Sequence, residues 1–342
     1  MKILSVLAAI TALLFAGCST TTNNSSTSPS GSSTAERAFE SVLVSDAFYM
    51  GKFETMNHEF SSALNDLFEQ TDADTSAIAT DTVITFLRLD PLTNDTLRDT
   101  LINAIAYRMP GLRYAASAVT LQGRSVWQMD TACFTVAQND ITLRLDSMTL
   151  DSNVSGVTRV VTKRRHVLRS IVFTPVDTKK NYPVTGANWY GAALFCNAKS
   201  GMDGYSACYS ADSFVLQASA AGWRLPDTAQ WVLAARAGRS ADSSVFPTGP
   251  IISEWMANYL EAGNLASLMP VASYPSNPDS LFDMAGNLWE WCADVYSAAD
   301  TSRVIKGGSY ADGPDFQRTA FVSRERSVVS SLLIGFRVIR KK

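Results

Sequence analysis

Apolar residues recur along the chain with the period of a strand in some segments and of a helix in others. Residues 48–54 are rich in aromatic and aliphatic side chains and predict a strand. Residues 57–68 follow with apolar side chains at helical spacing, which predicts a helix that either Thr55 or Asn57 is placed to cap. The apolar face of that helix consists of Phe60, Ala63, Leu64, Leu67 and Phe68.

The middle of the chain, residues 69–180, mixes both periods. Residues 93–108 have helical spacing and predict a second helix, which Pro110 and Gly111 would end. Its apolar positions are Leu97, Leu101, Ile102, Ile105 and Ala106. The period then becomes two, since Ile141, Leu143 and Leu145 alternate with polar residues, and residues 158–173 are rich in Val and Thr. We therefore expect a β-rich insertion with one helix, in which no catalytic constellation is recognisable.

Two further helices are predicted nearer the C-terminus, each with a capping residue. Asn188 is placed to cap an apolar stripe formed by Trp189, Ala192, Ala193 and Cys196. Asp227 with Gln230 three residues later forms a capping box, and Gly238 is placed to end that helix. Both helices are interpreted as scaffold.

The first 35 residues have the pattern of an exported, lipid-anchored protein. The apolar run 3–15 is too short to span a membrane and is typical of a secretory signal. Residues 14–18 resemble a bacterial lipobox, with Phe15 in the place usually taken by Leu, so cleavage before Cys18 would leave a lipidated cysteine. Ordinary cleavage at a small-residue site is the alternative. The expected division is a signal peptide at 1–17, a Ser/Thr-rich tether at 18–35 and a folded domain at 36–342.

This pattern places the protein in the bacterial cell envelope, and the absence of Asp after Cys18 favours the outer membrane. In an oxidising compartment the other four cysteines are expected to form one or two disulfides, although free buried thiols remain open. These cysteines are Cys133, Cys196, Cys208 and Cys292.

Composition excludes several classes of function. The chain has 342 residues, 46% of them hydrophobic, so it can bury a full core. A net charge of −3 gives no basic field for nucleic acid, and the basic residues 163–169 are interpreted as the solvated face of a strand. Only two histidines are present, which argues against a histidine metal site.

Residues 281–291 stand out because apolar side chains surround a Gly-Asn pair and only two charges. These charges, Asp283 and Glu290, must be exposed, paired or bound to a cation if the segment is buried.

A series of motifs then follows in order along the second half of the chain, at 182–192, 224–226, 231–236, 281–291, 306–310 and 335–337. The series resembles the formylglycine-generating enzyme, or sulfatase-modifying factor, family, and residues 48–64 resemble its opening strand and helix. The resemblance implies a C-type-lectin-like α+β fold with short strands, two or three helices and long loops, to which the β-rich insertion is added.

The resemblance also implies that the catalytic cysteine pair of the family is missing from this chain. Family oxidases carry two cysteines just after the Gly-Gly-Ser motif, which bind Cu(I) and engage the substrate cysteine. Here the matching positions are Asp312 and Gln317, and no cysteine occurs from 293 to 342. Because oxygen ligands do not replace thiolates on Cu(I), neither copper nor the oxidase reaction is expected.

By the same resemblance, a calcium site would use the side chains of Asp283 and Glu290 and the carbonyls of Gly286 and Leu288. An all-oxygen set suits Ca²⁺. The alternative, in which both acids pair with Arg or backbone amides, stays open.

The loop after Gly308 faces ligands in this fold, and we call its predicted contact residues the ligand surface. They are Tyr310, Asp312, Asp315, Phe316, Gln317, Arg318, Arg324 and Arg326. Their mixture of aromatic and charged groups suits binding of a protein or glycan. The sequence thus predicts a non-catalytic binding or scaffold module, with two alternatives: a formylglycine-generating oxidase acting on sulfatase cysteines, or a structural component of an envelope or gliding-type assembly.

Overall fold

The computed structural model describes residues 35–69, 83–89, 96–102, 112–143, 166–217, 219–261, 267–299 and 301–342. Three α-helices lie among them: α1 (Asn57–Glu69), α2 (Trp189–Met202) and α3 (Thr228–Arg236). The first nine strands are β1 (Ser41–Val44), β2 (Phe48–Gly51), β3 (Val83–Leu89), β4 (Thr96–Ile102), β5 (Leu112–Ala115), β6 (Ala118–Leu121), β7 (Arg124–Gln128), β8 (Phe134–Leu143) and β9 (His166–Pro175). The last six are β10 (Trp223–Arg224), β11 (Trp289–Ser297), β12 (Ser302–Lys306), β13 (Ser323–Arg326), β14 (Ile334–Gly335) and β15 (Ile339–Lys341). None of the helices described is long and apolar enough to cross a membrane.

Two four-stranded sheets organise the domain. One has the order β1-β2-β15-β10 and so joins the first strands to the last, with β15 antiparallel to β2. The other has the order β13-β12-β11-β14, in which β14 runs parallel to β11. Strands β5, β6 and β7 form a separate antiparallel sheet, and β3–β4 and β8–β9 are two-stranded. Short strands, three helices and long loops agree with the expected α+β fold.

The predicted opening strand and helix are confirmed as β2 and α1. The cap differs from the expectation, because the Met56 N–H donates to Glu59 Oε2 at 2.9 Å, which is one half of a capping box. Asn57 lies inside the first turn, and its amide donates to the carbonyl of Lys179 at 2.9 Å.

The helix predicted over residues 93–108 is wrong, since residues 96–102 form strand β4. β4 pairs antiparallel with β3, from Leu89↔Thr96 to Val83↔Ile102. The physical reason is that a spacing of four residues, as between Leu97 and Leu101, fits a period of two as well as a helical turn. A partner strand rich in β-branched and aromatic residues was available, and pairing decided the conformation.

The alternating segments of the insertion are strands, as expected. Residues 141 and 143 lie in β8, which pairs along its whole length with β9. Leu145, residues 158–165 and the start of the basic run fall outside the described residues.

Both predicted helix caps are confirmed. The Asn188 side chain accepts the Gly191 N–H at 3.0 Å at the start of α2. At α3, Asp227 accepts the Gln230 N–H at 2.8 Å, and Gln230 Oε1 accepts the Asp227 N–H at 3.0 Å. Helix α3 ends at Arg236, with Ala237 and Gly238 both left-handed at φ 49° and 73°.

Four tryptophans in the core are at most 1% exposed, and each of their indole N–H groups has an acceptor. Trp127 donates to the carbonyl of Thr185, Trp189 to that of Cys292, Trp291 to that of Ala187, and Trp231 to the carboxylate of Glu290. Burial of such large rings is strongly stabilising only when the polar atom is satisfied in this way.

The four cysteines that follow the tether are all buried as free thiols. The sequence left open either disulfides or free buried thiols, and the structure has the free thiols.

Candidate functional site

The Gly286-Asn287 turn connects three loops of the domain. Gly286 has φ +75°, and a Cβ there would lie 2.0 Å from the carbonyl oxygen of Asn258, so only glycine fits. The Asn287 N–H donates to Asn258 O at 2.8 Å, and the Tyr310 N–H donates to Asn287 O at 3.0 Å. The turn thereby holds the loop after Gly308 against the segment around residue 258.

The side chain of Asn287 extends this connection to the start of the domain. Its oxygen accepts from the Asn258 amide and from the Met269 N–H, each at 3.1 Å. Its nitrogen donates to Glu54 Oε2 at 2.7 Å, and Glu54 Oε1 accepts the Leu288 N–H at 3.1 Å. Residues far apart in the sequence are thus fixed around one buried carboxylate.

Glu54 belongs to a buried group of charges, Glu54, Asp283, Glu290 and Arg337, which we call the charge cluster. Glu290 and Arg337 are each 0% exposed. Arg337 Nε lies 2.8 Å from both Glu290 oxygens, and Nη2 lies 2.5 Å from Oε1. Arg337 Nη2 also donates to the carbonyl of Phe282 at 2.8 Å.

The two remaining acids of the charge cluster are destabilised as anions. Burial, reinforced by the charges of Asp283 and Glu290, holds the pKa of Glu54 well above its ordinary value. Burial likewise raises the pKa of Asp283 to about 6, although its Oδ2 accepts the Ala272 N–H at 2.7 Å. Three carboxylates therefore surround one guanidinium.

These contacts bear on the calcium interpretation. Both oxygens of Glu290 are engaged, by Arg337 and by the Trp231 indole at 2.7 Å, and Asp283 Oδ2 is turned to a backbone amide. Within the described ranges, no group of three or more His, Cys, Asp and Glu side chains is arranged to hold a metal ion. In this arrangement Glu290 pairs with Arg337 and Asp283 with a backbone amide, which is the alternative to a bound cation. Calcium stays a prediction.

The loop after Gly308 brings together the two positions that the resemblance assigns to cysteines. Gln317 is 0% exposed, and its Nε2 donates to the carbonyls of Ser309 and Asp312, each at 3.2 Å. Asp312 Oδ2 accepts the Trp289 indole N–H at 2.8 Å, the Ser309 N–H at 3.1 Å and the Ser309 hydroxyl. Both side chains are used to hold the loop.

Gly308 is required by this packing. Its φ is +74°, and a Cβ would lie 2.2 Å from Gln317 Oε1. The prediction that Gln317 belongs to the ligand surface is therefore wrong, because its amide fills the space beneath Gly308 and ties down loop carbonyls.

Five other members of the ligand surface are exposed and two are half-buried. The exposed ones are Asp315, Phe316, Arg318, Arg324 and Arg326, and the half-buried ones are Tyr310 and Asp312.

Exposed members of the ligand surface contact neighbouring side chains. Arg318 pairs with Asp315 at 3.0 Å, and the Phe316 ring packs edge-on against Phe321 with centroids 5.1 Å apart. Arg324 stacks over Tyr296 at 4.9 Å. These side chains keep part of their surface exposed to solvent despite these contacts.

Sequence reasoning missed a second loop beside this surface. The Thr319 N–H donates to Val245 O at 2.8 Å and the Leu260 N–H to Asp312 O at 2.9 Å, so residues 245–260 run alongside the loop after Gly308. Trp255 in this loop is 78% exposed. A tryptophan outside any apolar period was the available signal.

Comparisons with known proteins agree with this geometry. Residues 12–342 match the family model described as sulfatase-modifying factor enzyme 1-like domain. A serine/threonine-protein kinase pkn1 of Chlamydia caviae is 31% identical over 46% of this chain and 24% of its own length. A formylglycine-generating enzyme of Thermomonospora curvata is 31% identical over 40% of this chain and 46% of its own length.

This chain thus covers less than half the length of either relative. Among solved structures, that of CarF superimposes with a TM-score of 0.51 at 19% identity, over 86% of both chains, which supports the fold alone. Because the family model extends over nearly the whole sequence, the chain belongs to the family built on the sulfatase-modifying factor enzyme 1-like domain.

Proposed function

We propose that this protein is an envelope-anchored lipoprotein whose domain binds a protein or glycan ligand and carries out no oxidase reaction. One observation carries the proposal: at the positions expected for the cysteine pair, Asp312 Oδ2 and Gln317 Nε2 hold the loop through hydrogen bonds. Neither offers a thiolate, and the four described cysteines are buried elsewhere.

The ligand surface and the neighbouring Trp255 support the binding part of the proposal. Exposed aromatic side chains beside arginines are the groups that most often dominate recognition energies. Their backbone is fixed from beneath by the Gly286-Asn287 turn, so little conformational entropy is lost when a ligand binds. Two adjacent loops, tied together by backbone hydrogen bonds, display Trp255 and Phe316, which are 78% and 41% exposed and suited to that role.

A chemical assay separates this proposal from the oxidase alternative. The chain would be incubated with Cu(I) and a cysteine-containing sulfatase peptide, with the Thermomonospora curvata enzyme as positive control. We expect an unchanged peptide mass. A loss of about 18 Da, the change from thiol to aldehyde, would refute the non-catalytic assignment.

Binding would be tested with intact envelopes and purified envelope glycans, using Trp255→Ala and Phe316→Ala variants. We expect each to weaken capture at least about tenfold, as for hot-spot residues. Leu43→Ala, 40% exposed on β1, is the matched control and should bind normally. Periodate treatment abolishes binding if the ligand is a glycan, and protease treatment if it is a protein. Equal capture by all variants would contradict the proposed surface.

The remaining alternative is a structural component of an envelope assembly, and it is tested by removing the predicted lipid anchor. Cys18→Ser should release the protein from membranes into the soluble fraction. If the released protein instead remains in a stoichiometric complex at constant size, a structural component of an envelope assembly is indicated.

A further inference from the structure

A cleft of about 700 Å³ opens on a part of the domain that the proposed binding surface does not include. Residues 58–66 of α1, 173–175 of β9 and 195–202 of α2 line it, together with Glu36 and Phe39. Its volume lies within the range of small-molecule sites in proteins, about 300–1,000 Å³.

Glu59, which lines the cleft, has one carboxylate oxygen without a partner in the described part of the chain. Glu59 Oε2 accepts the Met56 N–H at 2.9 Å, which fixes the carboxylate at the start of α1. Glu59 Oε1 is buried and has no hydrogen-bond partner among the described residues. A buried acceptor left unpaired is costly, so a ligand that donates a hydrogen bond here would gain affinity. Burial also raises the pKa of Glu59 to about 7, against the opposing effects of the Met56 N–H and Lys199.

The charges lining the cleft favour a cation. Its carboxylates are Glu36, Glu59 and Asp66, whereas Lys199 is the one lysine or arginine among the lining residues. Lys199 is already engaged, with Asp203 at 3.1 Å and over the Phe39 ring at 3.8 Å. Glu36 pairs with Lys180 at 3.2 Å. The negative charge that attracts a positively charged ligand therefore comes from Glu59 and Asp66.

Apolar surface completes the cleft. Phe39 and Met202 line it, and Met202 is 51% exposed. A ligand with a hydrocarbon or aromatic body would cover these side chains and be oriented by its charged end.

We propose that this cleft binds a small organic amine, whose ammonium group donates to Glu59 Oε1 while its apolar part lies against Phe39 and Met202. The site is separate from the ligand surface and does not depend on its occupant.

The test uses three probes of similar shape: phenethylamine, the neutral 2-phenylethanol and the anionic 3-phenylpropionate. Their affinities for the full chain would be measured by calorimetry at pH 8. We expect the amine to bind at least about tenfold more tightly than the alcohol, the effect of one charge-assisted hydrogen bond. The acid should bind most weakly.

Glu59→Gln removes the charge and keeps an oxygen that accepts the Met56 N–H, so α1 should remain capped. We expect this variant to lose about tenfold in amine affinity and nothing in alcohol affinity. Glu36→Gln is the control, because Glu36 pairs with Lys180 at 3.2 Å, and its effect should stay below about threefold. Thermal unfolding of each variant confirms that it folds.

The pH dependence gives a second, independent measurement. Amine affinity should rise from pH 6 to pH 8 as Glu59 ionises, since its pKa is about 7 and the alkylamine stays protonated. His58, Glu36, Asp66 and Lys199 also face the cleft, and Glu59→Gln retains all four. A rise that persists in Glu59→Gln would therefore contradict the role of Glu59. Equal binding of amine and alcohol, or no amine binding up to about 5 mM, would overturn the proposal.

Discussion

Replacing Arg337 by methionine removes the guanidinium from the charge cluster at nearly constant side-chain length. Arg337 is 0% exposed and bonds to both oxygens of Glu290, while Glu54 and Asp283 act on it electrostatically. The variant leaves three buried carboxylates without the cation that lies among them. Breaking a buried ion pair in this way costs about 3–5 kcal/mol, so we expect the free energy of unfolding to fall by about 4 kcal/mol at pH 7.5.

The pH dependence of this loss follows from the raised pKa values. Asp283 has an ordinary pKa of 3.8 and a folded pKa of about 6, so its protonated form favours folding and its contribution is lost as the pH rises through that window. Glu54 is shifted in the same direction. Without Arg337 both pKa values rise further, because an attractive charge is gone. Protonation of Glu54 and Asp283 then removes part of the repulsion in the variant. The loss in free energy of unfolding should therefore be smaller at pH 5 than at pH 7.5 by at least about 1.4 kcal/mol, the equivalent of one pKa unit.

Urea denaturation followed by tryptophan fluorescence at both pH values measures these differences. Arg318→Met is the matched control, because its ion pair with Asp315 is exposed and should contribute less than about 1 kcal/mol. A deficit for Arg337→Met below about 1 kcal/mol at pH 7.5, or an equal deficit at pH 5, would refute the reasoning.

Three further measurements test other parts of the site. Gly308→Ala places a Cβ 2.2 Å from Gln317 Oε1 at φ +74°. We expect the free energy of unfolding to fall by about 2–3 kcal/mol and ligand capture to weaken. An unfolding curve like that of the unmodified protein would contradict the packing. Asp227→Ala removes the capping box of α3 and should lower the free energy of unfolding by about 1 kcal/mol. Asp242→Ala, at an exposed position, is the control and should change it little. Chelation should lower the temperature of thermal unfolding if Ca²⁺ fills the predicted site, and an unchanged temperature would refute the calcium prediction.

Local signals in the sequence predicted the elements whose stability is local. The caps at Asn188 and Asp227 depend on a side chain and an amide three residues away, and both were found. Strand β4 was missed because its spacing fits two periods and its pairing partner β3 lies in another segment. Trp255 was missed because exposure of an aromatic residue is a property of the folded surface.

The sequence by itself determined the family, the α+β class and the absence of cysteines after residue 293, because each depends on ordered motifs or residue types. Export stays a prediction from the first 35 residues. Only the tertiary structure decided that Glu290 meets Arg337, that Gln317 is buried beneath Gly308 and that Glu59 faces a cleft. These features join residues distant in the chain, and the free energy of a buried charge depends on which partner the fold brings to it.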